Sequence, residues 1–260
     1  MLIVHDLNFC SESPTVTALG FFDGVHKGHR AVIAEARAQA HARGAKCAVF
    51  TFEPPHHTDR AVSKSNIRLL QSAEQRYRLM EELGVELVFC PPFESFYNLT
   101  PEEFVTEILC NTLRCRGVVC GEDYRFGKKG AGNAALLREL AEPCGITVTA
   151  LAPVTWEGET VSSSRIRRCL AEGDVALAGR LLEAPYAQSG FPERQGDTLR
   201  LRLPPEMMPP CEGTYRGRVQ YPDGESGELT VEAAEGCLRW QAPAGERAGQ
   251  PVTLTLLDRR

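Results

Sequence analysis

Short apolar runs alternate with helix-compatible stretches over residues 1–184, a pattern that predicts an α/β fold with a Rossmann-like, doubly wound parallel sheet. Two further observations complete the prediction. A glycine- and histidine-rich junction at residues 19–29, Leu-Gly-Phe-Phe-Asp-Gly-Val-His-Lys-Gly-His, joins an apolar run to a helical pattern. From Pro185 the helical period fades. Short β-like runs between Gly/Pro turns then predict a small β-barrel-like domain over 185–260.

The elements follow in order. Residues 1–4 read as a short strand and 16–22 as the first main strand. Residues 29–43 are rich in Ala, Glu, Arg and Gln, which favour helix, and Gly44 closes that helix from the C′ position. A strand is expected at 46–52, a helix at 72–83 ended by Gly84, and a strand at 85–90. Thr100-Pro101-Glu102-Glu103 supplies an N-cap, a proline at the first helical position and early acidic residues for a helix to about residue 113. A strand at 117–120, a helix at 133–142, a strand at 146–151 and helices at 163–172 and 174–182 finish the first domain. Right-handed crossovers through the helices make the sheet parallel. In the second domain the strand-like runs are 198–203, 213–221, 227–232, 237–241 and 252–257. The polar stretch 54–66 is long for a βα connection and reads as a lid or a surface loop.

Composition narrows the function. The 260 residues suffice for one large or two modest domains, with 43% apolar and 24% charged residues. The formal charge of −5 gives no broad basic face, so nucleic acid is not the expected partner. No apolar run approaches the ~20 residues of a membrane span. The opening MLIVHDLNF has neither a basic n-region nor a long apolar core, so no signal peptide is expected and the cytoplasm is the expected place. The ten cysteines include no C-x-x-C pair and read as reduced structural thiols rather than zinc ligands. The sequence carries no signal for oligomeric state or for a particular metal ligand.

The junction at 19–29 is suited to anionic ligands. A helix start offers outward N–H groups and the positive end of the helix dipole. Gly24 and Gly28 remove Cβ atoms that would keep a phosphate away, and His26 and His29 add imidazole donors. The turn contains no Ser or Cys nucleophile. Three further segments end strand-like runs: Thr51-Phe52-Glu53-Pro54-Pro55-His56-His57, Gly121-Glu122-Asp123-Tyr124-Arg125-Phe126-Gly127, and Val161-Ser162-Ser163-Ser164-Arg165-Ile166-Arg167. Strand ends of an open parallel sheet share one rim, so the four segments are expected to converge. Serines at a helix start can cap it or hold phosphate oxygens, and arginine brings a fixed fork of donors.

Together, GFFDGVHKGH, TFEP, GEDYRFG and VSSSRIR resemble the adenylyltransferase module of bacterial bifunctional riboflavin kinase/FAD synthetases, in that family's order and spacing over roughly residues 14–185. The H-x-G-H and S-S-x-x-I-R pieces are shared with the wider nucleotidylyltransferase superfamily. The resemblance implies transfer of AMP from ATP to FMN, giving FAD and pyrophosphate with Mg²⁺. It implies charge stabilisation by His26 and His29, and Ser163, Ser164 and Arg167 as donors to the leaving pyrophosphate. Ser162 and Arg165 are further candidates, Arg165 the weaker because it points elsewhere on the helix. Gly20, Phe22, Asp23, Gly24, Gly28, Gly121 and Asp123 are candidates for substrate contacts. Asp23 could equally be bonded to the turn's own amides. Phe126 could stack on a flat ring or simply pack in the core.

Two departures stand out. Many members read G-N-F-D where this chain has Gly20-Phe21-Phe22-Asp23, and T-F-E-P-H-P where it has Thr51-Phe52-Glu53-Pro54-Pro55-His56. The second loop is expected near the flavin, so flavin affinity is the property it bears on. In the second domain the kinase signature G-F-P-T-A-N is missing; the region reads Arg194-Gln195-Gly196-Asp197-Thr198-Leu199. The later catalytic segment and terminal helix of that family do not follow either. A degenerate barrel without riboflavin kinase activity is therefore expected, with FMN supplied by another protein. The alternatives are a nucleotidylyltransferase for another phosphorylated acceptor and a non-catalytic flavin- or nucleotide-binding protein.

Overall fold

Six parallel strands frame the first part of the chain: β1 (Leu2–Val4), β2 (Thr15–Leu19), β3 (Lys46–Phe50), β4 (Leu87–Phe89), β5 (Cys115–Gly121) and β6 (Thr147–Leu151). They lie in the order β1-β4-β3-β2-β5-β6 in a computed structural model that describes residues 1–53, 67–242 and 249–260. The 54–66 stretch, with Pro54-Pro55-His56, lies outside the described residues. Every pairing in the sheet is parallel. The chain packs as two units, Met1–Asn66 with Ala73–Thr155, and Ile67–Ser72 with Trp156–Arg260. Packing thus groups residues 156–184 with the β-rich part, whereas composition changes at 185.

Alternation of side chains sorts the first core into two layers. Val16, Ala18, Val49, Val88 and Val119 face one side, against Ile33 and Ala36 of α1 (Lys27–Ala42). Leu19, Phe50, Phe89, Val118 and Cys120 face the other, against Leu109 and Leu137. Strands buried on both faces read as continuous apolar runs, as the runs in this sequence do. The remaining α-helices described in this unit are α2 (Ala73–Glu82), α3 (Phe93–Phe96), α4 (Pro101–Glu103) and α5 (Ala134–Ala141).

The α4 start bears out its sequence signature. Glu103 N–H donates to Thr100 Oγ1 at 3.2 Å, and Thr100 N–H donates to Glu103 Oε2 at 2.8 Å, a capping box. The expected α-helix does not continue, however. Residues Phe104–Thr112 form a π-helix, closed by Leu113 N–H donating to the Ile108 carbonyl at 2.9 Å. Its widened turn buries Phe104, Val105, Ile108 and Leu109 together, whereas the sequence pattern alone reads as α-helix.

The second unit contains the short strands β7 (Thr155–Trp156, at its boundary) and β8 (Glu159–Thr160), then α6 (Ser163–Glu172) and α7 (Val175–Leu182). Its main feature is an antiparallel sheet of β9 (Tyr186–Gly190), β10 (Glu193–Gln195), β11 (Thr198–Arg202), β12 (Gly213–Gln220), β13 (Ser226–Ala234), β14 (Cys237–Gln241) and β15 (Val252–Arg259). The order is β10-β11-β14-β13-β12-β15-β9. Leu201, Tyr215, Val231, Trp240 and Leu254 are buried, alternating with exposed or half-buried residues along the strands. Strands β9 and β10 escape the sequence reading because Tyr186-Ala-Gln-Ser-Gly and Glu193-Arg-Gln carry little apolar patterning.

Cys47, Cys90, Cys115, Cys120, Cys169 and Cys237 are buried, and all ten cysteines are free thiols. Burial is the main cause that raises the Cys47 thiol to about 12 and Cys115 and Cys120 to about 11. Among the described residues no helix is long and apolar enough to cross a membrane.

Candidate functional site

The chain leaves β2 into a turn whose shape is set by buried side chains. Gly20 N–H donates to the Phe50 carbonyl at 3.2 Å, and a Cβ on Gly20 would sit 3.1 Å from the Phe22 ring. Phe22 and Val25 adopt positive φ, 55° and 38°, beside Gly24 at 93°. Such backbone costs about 1–3 kcal/mol per non-glycine residue and persists only where its surroundings hold it. Here Phe22, Asp23 and Val25 are fully buried. Val25 N–H donates to the Phe22 carbonyl at 3.3 Å, and Arg30 Nε donates to the Val25 carbonyl at 3.0 Å.

Helix α1 starts at Lys27, earlier than the sequence reading, so His26 is its N-cap and His29 lies in its first turn. His29 N–H donates to His26 Nδ1 at 3.3 Å. One helix-start N–H is therefore occupied by an imidazole, and neutral His26 carries its proton on Nε2. The two rings stack at 3.6 Å and 15°, and the Phe22 ring lies 5.1 Å from His29. Burial, then His26, then Arg76 hold the His29 imidazole well below its ordinary proton affinity. His29 is thus neutral at physiological pH. Its Nδ1 is buried with no hydrogen-bond partner, an energetic loss unless a ligand meets it.

Arg76 of α2 is a residue the sequence reading missed. It is fully buried, its Nη2 lies 2.8 Å from Glu53 Oε1, and its Nη1 donates to the Phe21 carbonyl at 3.2 Å. Thr51 Oγ1 donates to the same carbonyl at 2.8 Å, and Tyr77 Oη donates to Glu53 at 3.0 Å. Burial is the main cause that raises the Tyr77 phenol. The available signal was positional: Arg76 lies four residues before Met80, on the helix face that packs inward.

Strand β5 neighbours β2, and the chain order reverses between them: β3 and β4 lie to one side, β5 and β6 to the other. The C-terminal ends of β2 and β5 therefore flank the topological switch point of the sheet, where ligands of open α/β folds bind. The His26/His29 turn and the Gly121/Asp123 turn follow these two strands directly. Tyr124 N–H donates to the Gly121 carbonyl at 3.1 Å, and a Cβ on Gly121 would lie 2.7 Å from Asp123 Oδ1. Glycine thus lets the exposed Asp123 carboxylate fold back over the strand end.

Phe126 requires a correction. It is buried against Phe104 at 5.4 Å and stacked on Tyr124 at 6.0 Å, and its backbone exchanges two hydrogen bonds with Gly132. A Cβ on Gly132 would meet the Phe126 ring at 2.4 Å. Core packing, rather than stacking on a ligand, is its role.

The serine–arginine segment belongs to the second unit. Ser162 caps α6 by accepting from Arg165 N–H at 3.2 Å, and Ser163 and Ser164 lie in the first turn. Arg165 also requires a correction. Its buried guanidinium donates to the carbonyls of Trp156 and Glu159 at 2.9 and 2.8 Å and pairs with the Glu159 carboxylate at 3.3 Å. It ties the 156–159 turn to α6 and is committed to that task. Arg168 pairs with the same carboxylate, which lies below its usual range chiefly through that bond. Arg167 is half-buried, and its Nε donates to the Arg68 carbonyl at 2.7 Å. Among the described residues no group of three or more His, Cys, Asp or Glu side chains is placed to hold a metal.

A doubly wound α/β unit with a helix-start turn at its switch point is the class these features define. The chain belongs to the FAD synthetase family, whose model matches residues 10–165. It is 34% identical over 209 residues to a bifunctional riboflavin kinase/FMN adenylyltransferase of Listeria monocytogenes, covering 77% of this chain and 66% of the relative. It is 33% identical over 188 residues to the Escherichia coli protein of the same description, covering 72% and 60%. For the Bacillus subtilis protein the identity is 35% over 190 residues, covering 72% and 59%. The chain thus spans 59–66% of the length of these relatives. A crystal structure described as a macrolide-efflux protein from Streptococcus pneumoniae has the same fold, with a TM-score of 0.89 at 24% identity over 100% of this chain and 90% of that one.

Proposed function

We propose that the chain transfers AMP from ATP to the phosphate of FMN, giving FAD and pyrophosphate, and that residues 1–184 form the transferase module. The observation that carries this reading, together with family membership, is the His26/His29 turn at the switch point beside β5. An FMN phosphate oxygen attacks the α-phosphorus of ATP in line and pyrophosphate leaves. Such transfers depend on positioning and charge stabilisation more than on covalent chemistry.

In this reading His29 acts as a neutral donor, and the anionic phosphates raise its proton affinity as they approach. His26 and the start of α1 add dipolar stabilisation. Ser163, Ser164 and Arg167 are the proposed donors to pyrophosphate, with Ser162 capping their helix. Gly20, Phe22, Asp23, Gly24 and Gly28 shape the turn, and Gly121 and Asp123 border the substrate. Mg²⁺ belongs with the nucleotide, since it is held largely by phosphates and waters with one or two carboxylates, and it neutralises phosphate charge when bound. The exposed Asp123 fits the part of such a carboxylate.

Riboflavin is not phosphorylated in this reading. The 194–199 segment runs from β10 through a turn at Gly196 into β11 without a Thr-Ala-Asn run. FMN would come from a separate flavin kinase. A cytoplasmic location is supported by ten free thiols, and small molecules rather than nucleic acid or membrane are the proposed partners.

A pyrophosphate-release assay with ATP, Mg²⁺ and FMN tests the reading, with flavin products separated by chromatography and riboflavin run in parallel. FAD from FMN, with no FMN or FAD from riboflavin, is expected. ATP binding without FAD formation would overturn it and direct attention to other phosphorylated acceptors.

A further inference from the structure

Arg76 is a fully buried cation within a sheet-packed core. A buried ion pair seldom adds stability over apolar residues of similar size, because desolvation offsets the attraction. Packing alone would be served as well by Met or Leu. What an apolar residue cannot do is donate to the Phe21 carbonyl from inside the core.

That carbonyl belongs to the peptide leading into Phe22, the residue at positive φ whose ring lies against His29. It accepts from both Arg76 Nη1 and Thr51 Oγ1. The other prong of the same guanidinium is held by Glu53, which Tyr77 also engages. The Phe21 ring lies 5.7 Å from the guanidinium carbon. Arg76 Nε is buried without a partner, a loss accepted for this placement.

We infer that Arg76 is a positioning residue for the transfer reaction, clamping the Phe21–Phe22 peptide so that the strained turn holds His29 in its working orientation. The inference rests on the transferase reading above. It adds Glu53 and Thr51 as the groups that fix Arg76 and its target. Burial is the main cause that lowers the His29 proton affinity, and His26 and then Arg76 from α2 add to it.

The test uses the full chain with Arg76→Met and Arg76→Lys, followed by thermal unfolding, ATP-binding calorimetry, steady-state kinetics and NMR titration of the His29 imidazole. Arg76→Met is expected to bind ATP nearly as the parent does while kcat falls about 10- to 100-fold, the scale of a small misplacement at a reacting centre. His29 should then take up its proton at higher pH than in the parent. Arg76→Lys keeps the charge but lacks the fork that spans Glu53 and Phe21, so it should restore the titration without restoring kcat. If Arg76→Met does not fold, Arg76→Met combined with Glu53→Gln removes both charges and is read in the same way. An unmoved His29 titration, or an unchanged kcat beside a lowered Tm, overturns the inference and leaves Arg76 as a fold-stabilising residue. If the parent makes no FAD, the transferase reading fails on its own, and the His29 titration still decides whether Arg76 governs that ring.

Discussion

At the start of α1 the capping group is an imidazole, His26, reached through a turn with two non-glycine residues at positive φ. At the start of α6 it is a serine, Ser162, on ordinary extended backbone with φ −148° and ψ 158°. The first start is held from outside by Arg76 and Thr51 on the Phe21 carbonyl, with Arg30 of α1 itself adding a bond to the Val25 carbonyl. The second is held from within, by Ser162 and by Arg165 reaching back to the preceding turn. The positive-φ residues at the first start, Phe22 and Val25, lie directly before the cap, whereas at the second the strained residue, Glu157 at φ 53°, is set back in the turn that Arg165 ties down. Substitutions at the two starts should therefore fail in different ways.

The largest effect is expected at His29. His29→Ala should lower turnover by about 10²–10³, the usual loss for one preorganised charge-stabilising donor, with a Tm close to the parent's. Steady-state kinetics beside a melting curve checks this, and normal turnover would remove the contrast between the two starts. Next comes Arg165→Met, which should lower unfolding free energy by about 2–3 kcal/mol because two carbonyls lose charged donors. Turnover per folded molecule should persist, as denaturant unfolding paired with active-site titration would show. Ser162→Ala should cost about 1 kcal/mol, a typical lost serine cap, and Ser162→Asp should recover most of it.

The smallest effect concerns pH. The folded chain holds the His29 proton affinity below its ordinary value of 6.5, so the unfolded chain takes up the proton first as pH falls. Stability from neutral His29 is therefore full above 6.5 and drains as pH drops below it. His29→Ala should flatten that decline in calorimetric scans between pH about 7.5 and about 5.5. An unchanged slope would mean that the ring titrates freely.

Much of this arrangement is legible in the chain. The alternation of apolar runs and helix formers marks all six parallel strands; the four central ones are largely buried on both faces and leave nearly unbroken apolar stretches, while β1 and β6 lie at the edges. His26 and His29 stand out because short-range spacing places them on one turn. The parts that escape are those fixed by distant partners. Arg76 acquires meaning only beside Glu53 and Phe21, and Arg165 only beside the 156–159 turn. Phe126 reads equally as a ligand platform or a core residue until Phe104 and Gly132 close on it. The π-helical turn over Phe104–Thr112 follows from packing, since its local sequence is compatible with an ordinary α-helix.

The six buried thiols make the chain its own reporter of breathing motions. Cys47, Cys90, Cys115 and Cys120 lie in the first unit, and Cys169 and Cys237 in the second. With raised proton affinity and little access to solvent, Cys47, Cys115 and Cys120 should react with an alkylating reagent only during transient opening. Labelling rates read position by position in a mass spectrometer would then give separate opening free energies for the unit that carries His29 and for the unit that carries Arg167. ATP or FMN added to the same experiment would show which of the two each ligand quiets.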